Sequence, residues 1–310
     1  MSRINSVNAK RCIAVFMAVL MMILSLSYTG NNQTNALNTA QQYRIFNAKT
    51  GAKIGNDYTL QPVSTYNNTT SRNVIGYEER VIDWTKSGVV KIITSGGFGS
   101  GFVVSDHVIA TAAHCLYNYK NQNAKIVSKI LLFDTNGNIT LQATPVQSHI
   151  PVQFITGTHN AGNNYVTTSD YALITVKEDL SDYACFDLGM PLTSFNTGNA
   201  TVSVTGFPGR VGNPGNEVTV NTTTTHMMYT GNGNICNGDT TLLRYTADTS
   251  NGNSGGPVYI TESLQGRTYY TVVAINIADQ VSLPYTQNTG YRITTNLLQF
   301  YSGDNQNINW

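Results

Sequence analysis

The chain has 310 residues, a formal net charge of +1, 41% hydrophobic residues and only 11% charged residues. It carries no basic patch of the kind that binds nucleic acid, and its low charged fraction is unlike that of a helical bundle. We therefore expect no nucleic-acid partner, and we predict an exported, strand-rich protein of one large or two small domains.

The N-terminus combines three basic residues, Arg3, Lys10 and Arg11, with an apolar run over 12–24. This run is shorter than the ~20 residues that a membrane-spanning helix needs, and the order of charged then apolar residues is typical of a secretory signal peptide. We interpret residues 1–30 as a signal peptide, predict secretion, and expect no stable membrane insertion after processing. The alternative is a retained membrane anchor.

Residues 31–72 differ in composition from the rest of the chain. They are rich in Asn, Gln and Thr and poor in apolar residues, so we expect this segment to be loosely ordered. It ends in Thr69-Thr70-Ser71-Arg72, a polar stretch suited to proteolytic cleavage. We interpret residues 31–72 as a propeptide and residues 73–310 as the catalytic domain. The alternative for 31–72 is a disordered N-terminal arm.

From residue 86 onward the chain consists of short β-rich runs separated by turns that contain Gly, Asn, Asp or Pro. This pattern predicts an all-β sandwich or barrel. The predicted strands are 89–93, 101–104, 107–110, 129–133, 171–176, 201–205, 217–224, 242–246, 258–261, 270–277 and 291–294. One helix is predicted over 295–301, and no internal repeat divides the domain.

Three segments of this region carry the residue types of nucleophilic catalysis by serine. His114 follows small residues at the end of a predicted strand, Asp170 precedes an apolar strand, and Ser254 lies in a glycine-rich turn. A serine hydroxyl needs a neutral imidazole to take its proton and a carboxylate to orient that imidazole. Taken singly, each residue also has a structural explanation, namely a packed histidine, a capping aspartate or a plain glycine turn.

The turn around Ser254 has the sequence Gly252-Asn253-Ser254-Gly255-Gly256. Glycines on both sides of the serine permit a tight turn in which the N–H groups of Gly252 and Ser254 converge on an anion. The chain order His, Asp, Ser differs from the Ser, acid, His order of α/β-hydrolases. The sequence therefore indicates a catalytic triad with an oxyanion hole.

Segments 111–115, 169–174 and 252–257 resemble the three signature blocks of the chymotrypsin-like superfamily. More narrowly, 73–76 and 204–209 are similar to the mature N-terminus and the Val-Thr-Gly-Tyr-Pro-Gly segment of the bacterial V8-like, or glutamyl endopeptidase, branch. The resemblance implies a trypsin-like double six-stranded antiparallel β-barrel, with the active site between the barrels and a short C-terminal helix.

The same resemblance implies roles for individual residues. His114, Asp170 and Ser254 would form the triad, and maturation after Arg72 or Asn73 would leave Asn73 or Val74 at the new N-terminus. The result would be a secreted serine endopeptidase that acts on proteins or peptides. A toxin-like or binding relative with little general proteolysis is the alternative. We expect a monomer without a cofactor, and no metal, because no metal-ligand spacing is present.

The S1 pocket, which binds the residue before the cleaved bond (P1), is implied only in part. Glutamyl endopeptidases bind a P1 carboxylate with a Thr or Ser matched here by Thr249, with a histidine whose position is Asn276, and with the N-terminal amine. Asparagine donates a hydrogen bond but supplies no positive charge, so selectivity for Glu or Asp would be weakened or lost. Asp248 occupies the position of the acid that binds Arg or Lys in trypsin-like enzymes. Acidic, basic and other P1 preferences therefore all remain open.

Overall fold

The structure is a computed structural model that describes residues 41–60, 78–157, 169–183, 186–189, 200–213, 216–238, 241–279 and 287–301. All of these residues belong to one compact unit, 38–310. The predicted signal peptide and the predicted mature N-terminus at Asn73 or Val74 lie outside the described residues. Within the described part of the chain, no helix is long and apolar enough to cross a membrane.

The described residues form mostly short strands with few helical turns. The strands in chain order are β1 (Gln41–Asn47), β2 (Lys53–Leu60), β3 (Val81–Ile82), β4 (Val89–Thr94), β5 (Gly97–Ser105), β6 (Val108–Thr111), β7 (Tyr117–Asn118), β8 (Asn123–Ala124), β9 (Val127–Phe133), β10 (Ile139–Ala143), β11 (Pro145–Pro151), β12 (Ala172–Val176), β13 (Asp187–Leu188), β14 (Thr201–Gly206), β15 (Arg210–Val211), β16 (Val218–Thr219), β17 (Tyr229–Gly238), β18 (Leu242–Tyr245), β19 (Pro257–Leu264), β20 (Arg267–Asp279) and β21 (Asn288–Arg292). The helices are α1 (Ala113–Leu116), α2 (Val152–Thr156), a 3₁₀ turn (Ser181–Tyr183) and α3 (Thr295–Tyr301). The all-β prediction is confirmed.

The first sheet has nine strands in the order β10-β9-β4-β5-β6-β12-β11-β1-β2. Two of its inner strands, β4 and β12, are rich in Val, Ile and Leu, whose side chains suit an extended backbone. Strands β6 and β12 are buried along their whole length, because their alternate side chains pack into two different core clusters. The two strands are antiparallel, and the last residue of β6, Thr111, lies opposite the first residue of β12, Ala172. This register brings the segment that follows β6 close to the segment that precedes β12.

The second sheet closes into a barrel of six strands. Its order is β13-β20-β19-β14-β17-β18-β21, and an additional antiparallel pairing joins β20 to β21. The ring therefore contains β20, β19, β14, β17, β18 and β21. Its interior is filled by apolar residues that include Val202, Val204 and Val258. Strand β19 begins directly after the glycine-rich turn that carries Ser254, so the barrel wall fixes the position of that turn.

The expectation of loose order over 31–72 is wrong for residues 41–60. Strands β1 and β2 form a hairpin, and β1 pairs with the edge of the first sheet at β11. The segment is poor in apolar residues on average, but the few it has, such as Tyr43 and Phe46, are spaced so that they enter the core. An unpaired sheet edge also supplies backbone hydrogen bonds that composition alone does not reveal.

The prediction of a strand over 217–224 is mostly wrong, since only Val218–Thr219 forms a strand there. The backbone turns instead, and its carbonyl groups bind a buried lysine. Lys91 Nζ donates to the carbonyl oxygens of Thr222 and Thr225 at 2.8 and 2.6 Å and to Asn221 Oδ1 at 3.0 Å. Carbonyl groups that bind a cation are not available to a strand ladder, so the chain becomes extended again only at β17.

Candidate active site

His114 and Asp170 are in direct contact. His114 lies in the single helical turn α1, directly after β6, and Asp170 directly precedes β12, the neighbour of β6. The His114 Nδ1–H donates to Asp170 Oδ2 at 2.7 Å, and the backbone N–H of His114 donates to Oδ1 at 2.9 Å. Both oxygens of a buried carboxylate therefore hold one residue, which leaves Nε2 of the neutral ring to accept a proton.

The electrostatic environment of His114 follows from this contact. Burial of the ring disfavours its protonated form, but the charge and the hydrogen bond of Asp170, with a smaller contribution from Cys115, together favour it more strongly. As a result, the pKa of His114 lies well above its ordinary value of 6.5. The ring is thus a strong base that an adjacent carboxylate stabilises once it is protonated.

Ser169 supports Asp170 in a way that the sequence did not indicate. Its φ angle is 63°, in the left-handed region that non-glycine residues seldom occupy. The Ser169 hydroxyl donates to Oε1 of Gln153, in α2, at 2.8 Å. A backbone conformation of this kind is retained where the surroundings fix it, and here it orients the following carboxylate toward His114. The only sequence signal was that a small polar residue precedes the aspartate.

The turn that carries Ser254 packs against the His114 segment. The carbonyl oxygen of Ser254 accepts the N–H of Ser100 at 2.8 Å and lies 3.4 Å from the thiol sulfur of Cys115, the residue after His114. Among the described residues no hydrogen bond joins Ser254 Oγ to His114, and Nε2 is instead in contact with Cys115 Sγ at 3.9 Å. Catalytic hydrogen bonds of this type are often long before substrate binds.

Two glycines allow the turn around Ser254 to adopt its conformation. Gly252 has φ 102° and Gly255 has φ 86°, both in the region that favours glycine. A Cβ atom at Gly252 would collide with the carbonyl oxygen of Phe207, and one at Gly255 with that of Ser100. The carbonyl of Gly252 is held inward by the Ser100 hydroxyl at 2.7 Å. Other side chains at these two positions would therefore displace the turn.

The N–H groups of this turn divide into used and unused donors. Those of Asn253, Gly255 and Gly256 donate to backbone carbonyl oxygens at 2.9, 2.7 and 2.9 Å. Those of Gly252 and Ser254 have no acceptor among the described residues. The two unused donors are the pair predicted from the sequence to form the oxyanion hole.

Asn276, in β20, lies directly behind the same turn. Its backbone N–H donates to the carbonyl of Gly256 at 2.9 Å, and its carbonyl accepts the N–H of Gly255 at 2.7 Å. The buried Asn276 side chain accepts the hydroxyl of Tyr245 on Oδ1 at 2.5 Å. This bond fixes the orientation of the amide, and the Nδ2 donors have no acceptor among the described residues.

The other two predicted pocket residues, Asp248 and Thr249, are half-buried on the segment before the turn. Asp248 Oδ2 accepts the backbone N–H of Glu79 at 3.2 Å, and burial raises the pKa of Asp248 above its ordinary value. Next to it, Arg80 Nη1 donates to the Ser250 hydroxyl at 3.1 Å. The segment at 78–80 therefore packs along 248–250, a contact that sequence reasoning missed because the two segments are far apart in the chain.

Comparisons with known proteins show what the chain is similar to. The family model described as "Trypsin-like peptidase domain" matches residues 99–265. A "Glutamyl endopeptidase" of Bacillus licheniformis is 25% identical over 193 residues, which are 61% of this chain and 55% of that protein. The chain thus spans about half the length of this curated relative. A solved structure described as "Structure of Glu endopeptidase in complex with MPD" matches with a TM-score of 0.55 and 20% identity, covering 74% of this chain and 98% of that chain, and shows a common fold.

Proposed function

The chain belongs to the trypsin-like peptidase domain family, and from this premise we propose that it is a serine endopeptidase with His114, Asp170 and Ser254 as its catalytic triad. The observation that carries the proposal is the buried carboxylate of Asp170 bonded to both the ring and the backbone of His114. The Ser254 turn, with its two unused N–H groups, packs against this pair. Protein and peptide substrates follow from membership of a peptidase family.

The overall architecture in this proposal is a pair of barrels with the site between them. The second sheet is closed by the pairing of β20 with β21. In the first sheet, β10 pairs with β9 and β11 pairs with β12, and only Thr144 separates β10 from β11. If β10 and β11 count as a single bent strand, this strand joins β9 to β12. It would thus close a second ring of six strands, whose other members are β9, β4, β5, β6 and β12. His114 and Asp170 come from the first sheet and Ser254 from the second.

The proposed mechanism is acyl transfer. Ser254 Oγ attacks the carbonyl carbon of the scissile bond while Nε2 of His114 takes its proton, and Asp170 stabilises the imidazolium that forms. The N–H groups of Gly252 and Ser254 donate to the oxyanion. The imidazolium then protonates the leaving amine. Water, activated by the same ring, hydrolyses the acyl-enzyme and restores the serine hydroxyl.

A covalent probe of reactive serines tests this proposal. We expect a fluorophosphonate to label the matured protein with one equivalent, on the peptide that contains Ser254, and to do so without prior denaturation. The matched control is Ser254→Ala, which should take up no label. If correctly matured protein stays unlabelled, a binding or toxin-like relative without general proteolysis becomes the better interpretation.

The raised pKa of His114 predicts the pH dependence of activity. His114 must be neutral to accept the serine proton, so kcat/KM should rise with pH and reach half its maximum well above 6.5. The measurement is kcat/KM from about pH 5 to about pH 10 on a substrate with an uncharged P1 residue, which excludes titration of the substrate. A midpoint at or below 6.5 would contradict the assigned ion pair.

The P1 preference that the pocket supports is a side chain with a carbonyl oxygen. Tyr245 holds Asn276 so that its amide donors remain available, and these donors bind oxygen but carry no charge. Asp248 accepts the backbone N–H of Glu79, which argues against its serving as the receptor for a basic P1 residue. We therefore expect cleavage after Glu and Gln at similar rates, and much slower cleavage after Lys.

The variant Asn276→His tests this pocket. At about pH 6 an ordinary imidazole is largely charged, so the ratio of kcat/KM for P1 Glu over P1 Gln should rise about tenfold. The control Asn276→Gln keeps an amide and should leave the ratio near that of the unaltered protein. Equal ratios in Asn276→His and the unaltered protein would show that position 276 does not contact the P1 side chain.

Maturation and export complete the proposal. Residues 1–30 would direct secretion, and removal of the segment before Asn73 would place a new N-terminus a few residues before Glu79, which contacts Asp248. The contacts of 78–80 along 248–250 support this, because they hold the chain close to the predicted pocket. N-terminal sequencing of the secreted protein is the measurement that identifies the cleavage point.

We further expect the mature enzyme to be a monomer.

A further inference from the structure

The hairpin of β1 and β2 lies in the segment that the proposed maturation would separate from the catalytic domain. We propose that this hairpin stays bound after the cut near residue 72 as a non-covalent part of the mature enzyme, and that Tyr43 within it is a positioning residue for Asp170. The inference rests on the proposed function for the processing step. It goes beyond that function because a propeptide is otherwise expected to be discarded.

The backbone of the hairpin is continuous with the first sheet. Strand β1 pairs with β11 in a register that runs from Tyr43 opposite Pro151 to Asn47 opposite Gln147. Beyond β1, Ala48 donates its N–H to the carbonyl of Val146 at 3.1 Å and accepts the N–H of Val127 at 2.8 Å. The hairpin is thus bonded to two strands of the catalytic domain, β11 and β9, and its removal would expose both.

The hairpin side chains belong to the core. Tyr43, Ile45 and Tyr58 lie in one core cluster, and Phe46 and Ala48 lie in another. Tyr43 is fully buried, and its ring stacks on Phe300, in α3, with centroids 4.2 Å apart. Loss of the hairpin would leave an apolar depression in both clusters, which the hydrophobic effect strongly opposes. A cut in the linking stretch alone would therefore not release it.

The hairpin is also held together internally. Arg44 and Asp57, on its two strands, form a bidentate pair in which Nε donates to Oδ1 at 2.9 Å and Nη2 donates to Oδ2 at 2.7 Å. The hydrogen bonds from Arg44 lower the pKa of Asp57 to about 2, so this carboxylate stays charged in moderately acidic solution. The freed fragment would keep this cross-link and remain a preformed unit.

Tyr43 connects the hairpin to the active site. Its hydroxyl shares a 2.9 Å hydrogen bond with the hydroxyl of Tyr171, the residue after Asp170. Tyr171 is buried, and its ring contacts Phe300 and Tyr291 at centroid distances of 5.6 and 4.7 Å. Without Tyr43 the Tyr171 hydroxyl would lose its partner in the core, which is costly, so the backbone at 170–171 would shift.

The first experiment tests retention of the hairpin independently of catalysis. A recognition sequence for a cysteine protease replaces 66–72 in the full chain, on a Ser254→Ala background that cannot cut itself. After cleavage, we expect the fragment that contains 41–60 to co-elute with the catalytic domain in size-exclusion chromatography, at one copy each by mass spectrometry. Elution of the fragment alone, with the remainder still folded by circular dichroism, would overturn the proposal.

Side-chain variants of the same cleaved chain identify the contacts responsible. Tyr43→Ala should release the fragment, whereas Gln42→Ala, an exposed neighbour on the same strand, should retain it. Release by both, or by neither, would contradict the assigned role of Tyr43. These chains carry Ser254→Ala, so retention of the hairpin is measured independently of catalysis. If the cleaved Ser254→Ala chain retains the hairpin but the chain with Ser254 proves inactive, only the proposed function is refuted.

The second experiment tests the positioning role in active enzyme. Tyr43→Phe removes one hydroxyl, so Asp170 should hold His114 less closely. We expect kcat to fall about fivefold with KM unchanged, and the acidic limb of the pH profile of kcat/KM to move to lower pH. The control Tyr58→Phe keeps the ring that stacks on Tyr43, and the hydroxyl it removes bonds His149 at 3.0 Å instead of Tyr171, so it should keep the original pH profile. An unchanged limb in Tyr43→Phe would overturn the positioning role.

Discussion

Replacement of Ser254 by alanine is expected to lower kcat about a million-fold while leaving the fold intact. The reason is that no other described hydroxyl lies in a turn with two unused backbone N–H groups beside a His–Asp pair. Without the nucleophile, the remaining groups can assist only the direct attack of water, which is slow. The measurement is kcat and KM on a peptide with P1 Gln, with unaltered and variant chains matured by the same added protease, which is then removed.

The control for this variant is Ser263→Ala. Ser263 is exposed on β19, the strand that begins a few residues after Ser254, so its replacement tests the general effect of losing a hydroxyl nearby in the chain. We expect this variant to keep full activity. A Ser254→Ala chain with more than about a hundredth of the original kcat would refute the assigned nucleophile, since a triad acts as a unit.

The candidate site could be predicted from the sequence because its parts are local signals. His114 at the end of β6, Asp170 at the start of β12 and Ser254 among glycines each carry a short pattern that requires no knowledge of distant contacts. Because β6 pairs with β12, His114 and Asp170 at the adjoining ends of these strands lie close together. The sequence also predicted that glycine at position 252 permits a tight turn, and the structure adds a second reason, since a Cβ there would collide with the carbonyl oxygen of Phe207.

The rest could not be predicted because it depends on pairing between distant segments. The hairpin at 41–60 has too few apolar residues to signal a strand pair, and it is stabilised by distant parts of the chain, namely the edge of β11 and the core. The same holds for the hydrogen bond from Tyr245 to Asn276 and for that from Glu79 to Asp248, which join residues far apart in sequence. Local composition contains no information about such partners, and the pocket chemistry depends on them.

Replacement of Asp170 by asparagine should have the second-largest effect, a loss of about ten thousand-fold in kcat near neutral pH. An amide at this site presents both a donor and an acceptor to His114, whereas the carboxylate accepts from the ring at 2.7 Å and from the backbone at 2.9 Å. The ring would then be held in the wrong tautomer or turned away from the serine. The imidazolium formed during attack would also lose its counter-charge.

The same variant makes a second prediction that separates electrostatics from simple damage. The charge of Asp170 is the largest of the influences that raise the pKa of His114, so its removal should move that pKa down and shift the acidic limb of the residual kcat/KM profile to lower pH. Asp182→Asn, an exposed acid in the 3₁₀ turn, is the control and should change neither kcat nor the limb. A limb that stays at its original pH in Asp170→Asn would mean that His114 owes its basicity to another group. In that case Asp170 would not be the orienting member of the triad.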